Sequence, residues 1–126
     1  MRSKHVPAAI LRWEDQVRRS GCVVTGHNRV EPAESGDIQI HHVLGEQAVR
    51  NKEKVGGWYI LPLHWRLHDP SSDLGLNITH NRNAFTHEYG TEKYLFFRLL
   101  FAFWAAGMEV PVPLEVLNAI AAHSER

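Results

Sequence analysis

The chain has 126 residues, enough for one domain with one modest core. Hydrophobic residues make up 44% and charged residues 22%, which is ordinary globular usage. The 14 Lys and Arg balance the 14 Asp and Glu, which excludes a generic polycation. Any nucleic-acid surface must be a local basic patch.

Ala8 to Ser20 reads as a first helix, with Ile10, Leu11, Trp13 and Val17 at helical spacing and Gly21 as its stop. Cys22-Val23-Val24 reads as a short strand closed by Gly26, and Asn28 to Asp37 as a loop. Ile38-Gln39-Ile40 alternates apolar and polar residues, as a strand does, and runs into His41 and His42. Glu46 to Val55 is polar, with Arg50, Lys52 and Lys54 at alternate positions, either a solvated loop or a phosphate-contacting one. Trp58-Tyr59-Ile60-Leu61 is a further strand candidate, and Pro62-Leu63 opens a short helix to about His68. After the turn Asp69 to Asp73, Asn81 caps a helix over 82–89 that stops at Gly90. Thr91 caps the next helix, through Ala106, and Pro113 begins a last one that ends near His123. The sum is an α+β chain, with every strand candidate and the short helix between Cys22 and His68.

The longest apolar stretch, Tyr94 to Gly107, is interrupted by Arg98 and is shorter than the about 20 residues a bilayer span needs. It reads as a core or interface helix, and no membrane partner is expected. Met1 to Pro7 is polar and basic, without the apolar run of a secretory signal. Cys22 is the single cysteine. No intrachain disulfide or all-cysteine zinc cluster can form, and a reducing cytoplasm fits.

Histidine is the compositional anomaly, nine in this length. Imidazole is the commonest metal ligand and the usual general base near neutral pH. Phosphodiester hydrolysis by one metal needs a cation for the charge on the leaving oxygen and a neutral base for the attacking water. The base must lie near the metal without binding it. Consecutive residues at a strand end point to opposite faces, so of His41 and His42 one can ligate and the other can face the water. A strand pair followed by a helix can aim His41 and His68 at one cation. His80, before a helix start, is a candidate third ligand. His64 reads as structural or surface, and His87 as partly buried without a chemical role. His5, His27 and His123 receive none.

Taken together, Gly21-Cys22-Val23-Val24, Ile40-His41-His42-Val43-Leu44-Gly45, Pro62-Leu63-His64 with His68, His80, and Phe85-Thr86-His87-Glu88-Tyr89-Gly90-Thr91-Glu92 resemble the phage Ref-type nucleases. These are RecA-dependent, recombination-enhancing endonucleases of the HNH (ββα-metal, His-Me finger) superfamily. The likeness covers roughly residues 3 to 100. It implies one domain over 1–126, with a ββα-metal core at about 20–90, an N-terminal helix and additional C-terminal helices over about 91–126. It implies His42 as the general base, His41 and His68 as metal ligands, and His80 as a further histidine completing the site. The cofactor implied is Mg²⁺ or a similar divalent ion, such as Mn²⁺ or Zn²⁺. The substrate implied is DNA, which the Ref members cut where a RecA filament has paired a strand. The chain departs from the family at the structural zinc. The first cysteine pair reads Cys22 and Thr25, the second His64 and Leu67. This zinc is expected to be lost, its place filled by packing from Trp58, Trp65 and Leu67. The middle asparagine of the HNH name is not identifiable before Pro62-Leu63.

Two functions stay open at this point. One is an active endonuclease of low sequence specificity, whose phosphate contacts come from Arg50, Lys52, Lys54, Arg66 and Arg82. The other is a catalytically inactive HNH-fold DNA- or protein-binding module. The apolar helix after Thr91 (Leu95, Phe96, Leu99, Leu100, Phe103, Trp104) reads as core or as a partner surface. The oligomeric state is left open.

Overall fold

A computed structural model of the chain describes residues 6–24, 37–45 and 55–123. The readings made above for 25–36 and 46–54, which include Arg50, Lys52 and Lys54, lie outside the described residues. Among the described residues the order is α1 (Ala8–Arg19), β1 (Ile38–His42), β2 (Ile60–His64), α2 (Trp65–His68), α3 (Arg82–Tyr89), α4 (Glu92–Ala105) and α5 (Leu114–Ala122). The protein is a small mixed α+β fold around a two-stranded antiparallel sheet.

The register pairs Ile38 with His64, Ile40 with Pro62 and His42 with Ile60. Every residue of β2 is buried, because α1 packs on both strands and α4 covers β2. The α1 face that meets the sheet carries Ile10, Trp13, Glu14 and Val17, while Leu11 turns outward. Trp13 ties the layers together. Its Nε1 donates to the Trp58 carbonyl at 3.0 Å, and its ring meets Phe103 of α4 edge-on, centroids 5.8 Å apart.

Three expectations about the strand region change. Cys22-Val23-Val24 is not a strand. The Val23 amide donates to the Pro62 carbonyl at 2.9 Å, so the backbone polar groups of Pro62 face away from β1. A residue's N–H and C=O leave a strand on the same side, and proline has no N–H to offer the next strand. The contact therefore stays a single rung, and Pro62 costs the β1–β2 ladder nothing. For the same reason Pro62-Leu63 belongs to β2 rather than to a helix. Trp58 and Tyr59 form a turn, both amides donating to the Val55 carbonyl at 3.0 Å, so the strand begins at Ile60. The short helix begins only after His64, whose Nδ1 accepts from the Arg66 amide at 3.2 Å and serves as its N-cap.

The helices after residue 81 match their sequence bounds closely. Asn81 stands before α3 but makes no side-chain cap. Thr91 does cap α4, its hydroxyl accepting from the Tyr94 amide at 3.1 Å, and Pro113 is the N-cap of α5. On α4, Leu95, Phe96, Leu99, Leu100 and Phe103 are buried, whereas Trp104 is 69% exposed. Cys22, His64, Trp58 and Leu67 are all buried and Trp65 is half-buried. His87, expected to be partly buried, is exposed, because the buried face of α3 consists of Phe85 and Tyr89.

Candidate functional site

One polar cleft of about 430 Å³ gathers His41, His42, His68, His80 and Arg82, with Val43, Leu44 and Ile78 as its apolar wall. The end of β1 supplies the first two histidines. The helix that follows β2 supplies His68, whose ring lies edge-to-face with His41 at a centroid distance of 5.1 Å. His80 and Arg82 arrive from the 69–81 loop and the first turn of α3. Fully buried Asn77 shapes that loop. Its Nδ2 donates to the carbonyls of Arg66 at 3.0 Å and Asp69 at 2.9 Å. Its Oδ1 accepts from the amides of Thr79 at 2.8 Å and His80 at 3.3 Å. Arg66 does not line the cleft; it is exposed, its guanidinium 5.4 Å from the centroid of the Trp65 ring.

Each imidazole has a specific neighbour. His41 Nε2 lies 2.6 Å from Glu92 Oε2, and the other oxygen of Glu92 accepts from Arg82. His68 Nδ1 lies 2.7 Å from Gln39 Oε1, and Gln39 Nε2 donates to Asp69 Oδ2 at 2.8 Å. His42 Nε2 faces Glu14 Oε2 of α1 at 3.6 Å. His80 Nε2 donates to the Pro70 carbonyl at 2.8 Å.

Burial pushes the His68 imidazole down to about 4, with His41 adding to the effect, Asp69 opposing it and His42 contributing last. His68 is therefore neutral at neutral pH, the form that binds a cation. The Gln39 amide, then the Ser71 hydroxyl and backbone, hold the Asp69 carboxyl down to about 2.

The residues that could take a divalent cation are His41 and His68, two imidazoles in contact, one of them held neutral, in the lining of the polar cleft. Among the described residues no group of three or more His, Cys, Asp or Glu is arranged to hold a metal ion. His41 and His68 are a pair of imidazoles in contact, and His80 in the cleft wall is committed to the Pro70 carbonyl.

Four residues escaped the sequence reading. Gln39 shares a strand face with His41, two residues on, and that periodicity was a usable signal. Glu14 was also legible, as a carboxylate among Ile10, Trp13 and Val17 on the buried face of α1. Glu92 and Asn77 carry no local signal for their roles, since each acts on residues brought near by folding.

Fold and cleft define a mixed α+β protein with an imidazole-lined polar cleft at one end of a two-stranded sheet. Compared with protein families, curated proteins and solved structures, the chain matches none. Among the described residues no helix is long and apolar enough to cross a membrane.

Proposed function

We propose that this chain is a metal-dependent DNA endonuclease of the HNH class, hydrolysing phosphodiester bonds with low sequence specificity in the cytoplasm. The observation that carries this reading is the convergence of His41, His42, His68 and His80 with Arg82 on one cleft. The order β1, β2, α2 is the order a ββα-metal core requires. His41 and His68 would hold the cation, and His80, whose Nε2 donates to the Pro70 carbonyl, would be a further ligand only if it gave up that bond. A cation held there would supply stabilisation of the negative charge that develops during phosphodiester cleavage.

The remaining steps belong to side chains. His42 takes the proton of the attacking water, with the Glu14 carboxylate 3.6 Å from its Nε2 as the nearby negative charge that favours the imidazolium formed. Arg82, with one guanidinium nitrogen donating to Glu92, offers its remaining N–H groups to a non-bridging phosphate oxygen. The phosphorus–oxygen bond to the leaving alkoxide then breaks, and water protonates that alkoxide. Mg²⁺ favours oxygen ligands whereas imidazole suits Zn²⁺-like ions, so the assay covers Mg²⁺, Mn²⁺ and Zn²⁺.

Nicking of supercoiled plasmid with each cation tests the reading. The parent chain nicks with at least one of them, and His42→Ala nicks slower by about 10²-fold or more. Equal rates reject His42 as the base, and no nicking with any cation rejects the enzyme. Adding a RecA filament paired at one site tests the RecA partnership, with nicking expected to concentrate there.

A second reading, a non-catalytic DNA- or protein-binding module, is favoured by one feature. His41 and His80 each direct Nε2 to an internal partner. DNA binding without divalent-cation binding in a calorimetric titration supports that module.

A further inference from the structure

We propose that two anchoring pairs, Asp69–Gln39 and Arg82–Glu92, hold His68 and His41 in opposite tautomers and so set which ring nitrogens form the cleft's donor pair. This rests on the proposed metal site and names the residues that position its ligands.

The argument follows the protons. A carboxylate only accepts hydrogen bonds. Asp69 Oδ2 is 2.8 Å from Gln39 Nε2, so the amide must turn its NH₂ to Asp69 and its carbonyl to His68. That removes the usual ambiguity in amide orientation. The Gln39 carbonyl also only accepts, so at 2.7 Å it takes a hydrogen from His68 Nδ1. In the neutral ring Nε2 is then the bare nitrogen. Glu92 gives the mirror case. One oxygen accepts from Arg82, and the other, 2.6 Å away, takes a hydrogen from His41 Nε2. In the neutral ring the bare nitrogen of His41 is Nδ1.

The two rings meet at 5.1 Å, each with one nitrogen held by an anchored acceptor and one lone pair left for a cation. Such partners fix ring orientation and raise ligand basicity. Each anchoring acceptor comes from a different element than the ring it holds. Gln39 lies on β1 while its ligand lies on α2; Glu92 lies on α4 while its ligand lies on β1. Gln39 and Glu92 are positioning residues, since neither needs to touch the cation.

Long-range proton–nitrogen correlation on the ¹⁵N-labelled, metal-free chain reads both tautomers directly. The expected result is Nδ1–H for His68 and Nε2–H for His41. Zn²⁺ titration by calorimetry then compares the parent with Gln39→Leu, Glu92→Gln and Asp69→Asn. The first two should lose the single tautomer of their histidine and about 10- to 100-fold in Zn²⁺ affinity. Asp69→Asn keeps the shape of the side chain and an oxygen that can accept from Ser71, and a far-ultraviolet circular dichroism spectrum matching the parent's checks that the variant folds. It frees the Gln39 amide to flip and should leave His68 in mixed tautomers. The reverse tautomer at either ring, or unchanged tautomers and Zn²⁺ affinity in all three variants, overturns the proposal. A parent chain with both assigned tautomers but no Zn²⁺ binding overturns the metal site and the donor role together, and leaves the anchoring of the rings standing.

Discussion

His68 shows how far a single side chain can be tuned by its surroundings. Burial and the nearby His41 lower its imidazole to about 4 from an ordinary 6.5, and Gln39 holds one nitrogen. The sign of the stability effect follows from linkage. The unfolded chain takes up a proton as pH falls through about 6.5, while the folded chain resists it down to about 4. This contribution is present above the unfolded value and is lost between those two limits. Asp69 adds a separate step at lower pH, because its carboxyl is held from 3.8 down to about 2. Stability gained there is lost as pH falls through that lower window. Urea unfolding in chelator should show a midpoint that falls from pH 7 to pH 4.5. The fall should be smaller in His68→Gln, which cannot titrate, and an identical fall in both proteins would sink the assignment.

At the scale of elements, the join between α3 and α4 sets the distance between Arg82 and Glu92. Gly90 makes that join with φ +106°, and a Cβ there would meet the Tyr94 ring at 2.8 Å. Gly90→Ala should therefore lower stability by about 1–3 kcal/mol, read as a lower thermal midpoint; an unchanged midpoint would show that the join relaxes freely. This boundary was legible in the sequence, because Gly90 and Thr91 are a stop and a cap with local chemistry. The β2–α2 boundary was not. Pro62 looks like a helix opener, yet it suits a strand whose N–H side faces away from its partner. Which side it faces is settled by the β1 register, a non-local fact. In α4, apolar residues run around the helix, so spacing alone does not say which ones are covered. Phe101 and Trp104 remain 64% and 69% exposed, while Leu95 and Phe96 are fully buried.

At the scale of the whole molecule, zero net charge means that the DNA binding proposed above would have to come from a patch rather than from the chain at large. If Arg50, Lys52, Lys54, Arg66 and Arg82 each meet a phosphate, log affinity should fall against log salt with a slope of about −4.5 for duplex DNA. A filter-binding series from low to physiological salt measures it. A slope near zero would reject the phosphate-contact set, and Arg66, turned toward Trp65 outside the cleft, is the member whose removal should change the slope least.

Helix spacing, caps, turn residues and the cluster of histidines between residues 27 and 68 could be read directly from the order of amino acids, because each depends on neighbours a few positions apart. So could the candidates His41, His42, His68 and His80. Their partners could not. Gln39 and His68 are 29 residues apart, and His41 and Glu92 are 51 apart. Strand register and helix docking decide which of many possible acceptors each ring meets. A hydrogen bond depends on tenths of an ångström between segments whose separation in the chain carries no trace of it.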